Sequence, residues 1–288
     1  MIHFSITGLG NTKWEPGVMK ADDLLDRIQS LIKNDGLDPN MVTIRIDPIV
    51  PGVTTKDMIE HIVQRASSMG IKRIRFSVMD CYNETEKAMT EKGYDFSKYY
   101  NRGTDKFHAK PEVLNAIADF MLTLKEKYGI TLGTCAEPLV KEGISQEGCL
   151  SVDGVNRMLG TSLEDKGKDN NKYRKECSCF GGKVDALSYN DKCASSCVYC
   201  YARHNTDKTL NYYNEDGTLK DIYFTRTEET TSTNNTPDVT TNNTPDVNIH
   251  YGSNENQDLS NFAERPFAFT SIFDFNFNTM FKTVEGAF

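Results

Sequence analysis

The chain lacks any apolar run long enough to cross a bilayer, and its opening stretch, Met1 to Thr7, is too short an apolar run for a secretion signal. Both shortages exclude membrane insertion and export as expectations, leaving a soluble cytoplasmic protein with no membrane partner. Positive charge is also in short supply: 33 basic against 41 acidic residues give a net −8 over 288 residues, so no broad basic face advertises nucleic acid. A local basic groove is still compatible with that balance. Eight cysteines are present, and in a reducing compartment thiols stay free to bind metal rather than pair as disulfides.

The first half alternates short β-rich runs with segments of helical period. His3 to Thr7 predicts a strand, and Ala21 to Lys33 a helix with Leu24, Leu25, Ile28, Leu31 and Ile32 on one face, closed by Gly36. Val42 to Ile46 predicts the second strand. Thr55 caps a helix carrying Ile59, Ile62, Val63, Ala66 and Met69, and Lys72 to Val78 is the third strand. After a polar, Tyr-rich stretch, Pro111 opens a helix with Leu114, Ile117, Met121 and Leu124, Gly129 ends it, and Ile130 to Thr134 is the fourth strand. Repeated strand-then-helix units imply parallel strands joined by right-handed crossovers. The predicted fold is α/β, a partial (β/α) barrel.

Polar residues gather where each strand ends: Thr7-Gly8 after the first, Arg45-Ile46-Asp47-Pro48 at the second, Ser77 to Asp80 at the third, and Cys135-Ala136-Glu137 at the fourth. In parallel barrels the carboxyl ends of the strands form the active face. Arg45 and Asp80 are therefore candidates for holding a cofactor, and Asp47 and Glu137 for catalysis. The competing reading makes Asp47 and Asp80 helix caps or turn formers.

Cys193-Ala-Ser-Ser-Cys197-Val-Tyr-Cys200 places three thiols on one short loop. Three thiolates can hold three irons of a [4Fe-4S] cube and leave the fourth iron without a protein ligand. Cys135, Cys149, Cys177 and Cys179 supply a further ligand set for a second iron–sulfur cluster or a structural zinc, unless some are simply buried thiols. Cys81, in a Met-Asp-Cys-Tyr context, is expected to be a packed thiol.

The C-x3-C-x2-C spacing, with Tyr199 in the aromatic slot beside the cofactor, resembles the cluster loop of radical S-adenosylmethionine (radical SAM) enzymes. That resemblance implies SAM as a second cofactor, chelated at the open iron, and an external electron donor as a partner. A zinc site is the competing reading. Gly181-Gly182-Lys183 does not match the Gly-Gly-Glu segment with which many of those enzymes hold the SAM amino group.

A closer resemblance rests on motifs in order: Glu15-Pro16, Arg45-Ile46-Asp47-Pro48-Ile49, Ser77 to Tyr82, Thr134-Cys135-Ala136-Glu137, Lys175 to Cys179 and Cys197 to Ala202. Together they look like an uncharacterised bacterial and phage family, a domain of unknown function with a radical-SAM-like cysteine cluster at its C-terminal end, here over residues 1 to 210. A cluster loop placed late in the chain implies a circularly permuted radical SAM (TIM-type) barrel. Members of that family begin with a further strand and helix, which this chain starts after. A full eightfold barrel takes roughly 250 residues, so a partial barrel is expected.

Residues 211 to 247 are expected to form a low-complexity linker. Thr-Asn-Asn-Thr-Pro-Asp-Val occurs at Thr233 to Val239 and again at Thr241 to Val247, and such composition cannot offset its ordering entropy. Beyond it, Leu259-Ser260-Asn261-Phe262 and Thr283-Val284-Glu285 resemble the opening of a NADAR domain, a family of small N-glycosidases acting on riboflavin-pathway phosphates and ADP-ribosyl groups. That resemblance puts Glu285 in a glycosidase pocket, and residues 248 to 288 are expected to be a short, β-rich, inactive fragment of that domain; an unrelated aromatic tail is the alternative. Three functions are implied: a radical SAM enzyme acting on an unidentified substrate, with a nucleotide or nucleic-acid base suggested by the C-terminal resemblance; a non-catalytic iron–sulfur or zinc protein; or glycosidase chemistry in an untruncated parent.

Overall fold

The computed structural model describes residues 1–101, 107–135, 137–138, 141–164, 179, 193–201 and 209–220. Five strands and five α-helices follow one another: β1 (Ile2–Ser5), α1 (Ala21–Asn34), β2 (Val42–Ile49), α2 (Lys56–Ser68), β3 (Arg73–Val78), α3 (Asn83–Glu91), α4 (Pro111–Tyr128), β4 (Thr131–Thr134), β5 (Ile144–Ser145) and α5 (Val152–Leu159). All strand pairings are parallel, and the order in the sheet is the order in the chain. Each crossover therefore moves the chain one place further in the same direction. With crossovers of one hand, the helices gather on one face; α1 packs on α2, and α2 on α4.

The register sorts side chains by face, because successive residues of a strand point opposite ways. Phe4, Ile44, Ile74, Leu132 and Ile144 form one row across all five strands, and every one is buried under the helices. The next row, one residue on, is Ser5, Arg45, Arg75, Gly133 and Ser145. One face is thus apolar and the other polar.

Local signals account for the expected helices. Thr55 Oγ1 accepts from the Met58 N–H at 3.2 Å and starts α2, whose buried stripe is Ile59, Ile62, Val63 and Ala66. In α4, Pro111 stands at the first turn, and Gly129 ends the helix in the left-handed conformation at φ 58°. α3 gives no periodic signal because Asn83–Glu91 buries only Thr85 and Met89, too thin a stripe to repeat. β5 has two residues, below the length at which alternation is visible. β2 runs past the expected end at Ile46, through Asp47-Pro48, by a register shift that restores pairing at Ile49 with Val78; a proline is tolerated in a strand at such an irregularity. Cys81 is buried in the apolar core, as expected. In the second compact unit, the described residues 213–220 form a turn in which Tyr213 bridges Leu219.

Ile44 lies within the apolar row, between Phe4 and Ile74, with no exposed surface. Ile44→Ala should lower unfolding free energy by about 2–5 kcal/mol, read from urea denaturation, because the surrounding strands cannot collapse into the space left behind.

Candidate functional site

The loop that bears Cys193, Cys197 and Cys200 docks against the segment leaving β1. Two backbone bonds at 2.9 Å fix it, Val198 N–H to the Trp14 carbonyl and Gly17 N–H to the Ser195 carbonyl. Gly17 is required by contact: a Cβ there would lie 2.3 Å from the Ala194 carbonyl oxygen. From the other side, Thr85 Oγ1 at the start of α3 donates to the Tyr199 carbonyl at 3.0 Å. The loop is held by elements that leave β1 and β3. Cys197 is buried, and Cys193 and Cys200 are half-buried.

A buried carboxyl stands behind this trio. Glu15 Oε1 accepts from Thr7 Oγ1 at 2.5 Å and from the Tyr199 hydroxyl, which also hydrogen-bonds the Cys197 sulfur. Burial raises the Glu15 pKa against the lowering effect of those two hydrogen bonds. Burial likewise raises the Cys197 thiol, and the neighbouring Glu15, Cys200 and Cys193 add to it. A thiol so crowded by potential anions stays protonated unless a cation joins it.

A second group of thiols sits at the ends of β4 and β5. Arg45 on β2 pairs with Asp47, whose carboxylate also accepts from Ser77, and Arg45 Nη2 reaches the Cys135 sulfur at 3.2 Å. Burial disfavours the Arg45 charge, but Asp47 first, then Cys135 and Cys149, outweigh it and raise the guanidinium's pKa. A hydrogen bond between the Cys135 and Cys149 thiols lowers the Cys135 pKa and, with the Cys179 contact, raises that of Cys149; the Cys179 sulfur lies 3.1 Å from that of Cys149. Cys149 is carried there by Arg75, which donates to the carbonyls of Thr134 (3.0 Å), Glu147 (2.5 Å) and Gly148 (3.0 Å). Gly133 leaves room for that guanidinium, since a Cβ there would meet its Cζ at 3.0 Å.

The predicted residues therefore divide. Arg45, Asp47, Cys135, Cys149 and Cys179 come together, as do Cys193, Cys197, Cys200 and Tyr199. Asp80 instead meets His108, at 3.2 Å, and is no helix cap. Glu137 is buried and accepts from the Val78 N–H at 2.7 Å, which ties down the end of β3. Cys177 and Glu285 lie outside the described residues. Among the described residues no group of three or more His, Cys, Asp and Glu side chains is set out as a metal-binding site; the thiols of the second trio contact one another instead. Glu15 and Arg75 join the site without having been expected there. In the sequence Glu15 shows only within the Glu15-Pro16 motif, with no role attached, whereas the alternation Arg73-Ile74-Arg75-Phe76 could have shown that Arg75 shares a face with Arg45.

Glu15 yields a pH test. A carboxyl with a raised folded-state pKa destabilises the fold as pH rises from its ordinary value of about 4.3 through the raised one. Glu15→Gln, which keeps an acceptor for Thr7 and Tyr199, should therefore gain on the parent progressively over that interval in thermal melts. Parallel melting curves at all pH values would contradict it.

Among the described residues no helix is long and apolar enough to cross a membrane. No curated protein and no solved structure matches the chain. The family described as Domain of unknown function (DUF1848) does match, over residues 1–202. That span contains the five strands, the Glu15 segment and all three thiols of each trio, so both thiol groups lie wholly inside it and the chain belongs to the DUF1848 family.

Proposed function

We propose that the protein is an iron–sulfur enzyme of radical SAM type, with Cys193, Cys197 and Cys200 as ligands of a [4Fe-4S] cluster. The observation that carries the reading is the trio itself: three neighbouring thiols on one anchored loop beside the strand ends, two of them half-exposed. The donor types fit the group, although the three thiols are not set out to hold an ion among the described residues: positive irons would offset the burial that, with the neighbouring potential anions, keeps Cys197 protonated. When bound and reduced, such a cluster supplies the electron that cleaves SAM to methionine and a 5′-deoxyadenosyl radical. The chain's own groups then have definable work. Tyr199 stands between Glu15 and the Cys197 sulfur; with Glu15 protonated, its carboxyl would donate to the Tyr199 oxygen and the Tyr199 hydroxyl to the Cys197 thiolate, orienting it as outer hydrogen bonds do for metal ligands generally. Asp80, which meets His108 after β3, is the polar group proposed for SAM or substrate, whereas Arg45 and Asp47 are engaged with each other, with Ser77 and with Cys135 in the second thiol group. The sequential strand order is what a partial barrel needs.

The second trio supports a different role. Cys149 and Cys179 are each only 5% exposed, and closed sites are structural, whereas catalytic ones keep a position open. Cys135, Cys149 and Cys179, with Cys177 as the fourth thiol, would hold a structural zinc or an auxiliary cluster. A nucleotide or nucleic-acid substrate, and the NADAR glycosidase reading of residues 248–288 with Glu285, rest on sequence resemblance alone.

Anaerobic reconstitution of the full chain should give iron and sulfide in equal amounts, and SAM with a strong reductant should then release 5′-deoxyadenosine. Cys197→Ala should abolish that release and remove the iron and sulfide of one cluster. Zinc without sulfide in the parent, or a loaded cluster that leaves SAM intact, would overturn the assignment.

A further inference from the structure

A pocket of about 290 Å³ lies beside the start of β3, between the approach to β2 and helix α5. Asp38, Asn40 and Met41 form one side, Arg73 at the start of β3 the floor, and Arg157 and Met158 of α5 the other side. Its charges are unevenly matched. Glu147 is occupied by Arg157 at 2.8 Å and by Ser151 Oγ. Asp38 accepts from two neutral donors, the Asn40 backbone N–H at 2.8 Å and its side-chain amide at 3.0 Å, and directs its hydrogen-bonding capacity toward its own turn. Arg75, behind the floor, is held by three neutral carbonyls. For Arg73, no carboxylate stands within ion-pair distance among the described residues: burial, then Arg75 and Arg157, act against its charge, with Glu147 alone in its favour at longer range.

Arg73 thus lacks a carboxylate partner and opens into the pocket, where Arg157 is the second guanidinium. A guanidinium matches phosphate oxygens through paired N–H bonds, and two of them lining one pocket can grip a single phosphate group. The space exceeds what the anion alone would fill, and Met41 and Met158 along its walls suit a small organic group attached to it. We propose that this pocket binds a phosphate monoester through Arg73 and Arg157. None of the pocket's residues is a thiol, and the proposal does not rest on the iron–sulfur reading. Binding there would act on Glu147 through their shared Arg157, and Glu147 immediately precedes the Gly148-Cys149 segment that Arg75 holds.

Titration calorimetry on the full chain tests it, with glycerol phosphate as the probe and acetate and sodium chloride at matched ionic strength as comparisons. Saturable binding of glycerol phosphate is expected, weakened at least tenfold by Arg73→Gln and by Arg157→Gln, with Arg73→Lys in between because a point charge cannot form the paired bonds. The Arg157 side chain is 66% exposed, so that variant should fold even if the Arg73 substitution disturbs β3. Absence of saturable heat, equal affinity for acetate, or unchanged affinity in Arg157→Gln would overturn the proposal.

Discussion

Everything in this molecule depends on the parallel register that assigns alternate residues of each strand to opposite faces. The row Phe4, Ile44, Ile74, Leu132 and Ile144 gives the helices an apolar floor, so the row beginning Ser5, Arg45 and Arg75 is free to be polar. A slip of one residue in any strand would exchange the two sets and bury charge under the helices. The fold is therefore pinned most firmly where it also presents its chemistry. Gly133 shows the same economy on a smaller scale: the missing side chain gives the Arg75 guanidinium its place, and Arg75 in turn holds the carbonyls that bring Cys149 to Cys135.

The two thiol groups share one electrostatic condition. In each, a buried sulfur holds its proton: Cys197 through burial first and then the potential anions around it, Cys149 through its hydrogen bonds to Cys135 and Cys179 and then burial. They differ in what balances them. The Cys135 sulfur has Arg45, itself tied to Asp47, whereas the Cys197 sulfur faces Glu15 through the Tyr199 hydroxyl. A cation already compensates one group and an acid backs the other. Identical side chains thus meet unlike surroundings, which is why the proposed roles diverge.

The sequence is most legible where a period extends over several turns or strands. Four strands and the helices α1, α2 and α4 can be read with ends displaced by a few residues, since strong caps such as Thr55 and Gly129 agree with the apolar spacing around them. α3, β5 and α5 escape because short elements bury too few side chains to repeat a pattern. Within the site, spacing finds the Cys193 trio, and position at strand ends finds Arg45, Asp47 and Cys135. The contacts of Glu15 cannot be read, because its partners Thr7 and Tyr199 stand 8 and 184 residues away and only folding brings them together. Glu137 is rightly expected at the end of a strand, but local proximity gives no hint that its carboxylate secures the Val78 N–H.

That last kind of separation has a temporal side. A chain made from its amino end presents Trp14, Glu15 and Gly17 long before Ser195 and Val198 exist, so for most of synthesis those groups have no mate. Joining points so distant along the chain means closing a large loop, which is entropically unfavourable until much of the intervening structure is in place. The Gly17–Ser195 and Trp14–Val198 links must consequently be among the late events of maturation. Any inorganic guest of the cysteine loop would be delivered to an almost finished protein rather than serve as the seed around which it assembles.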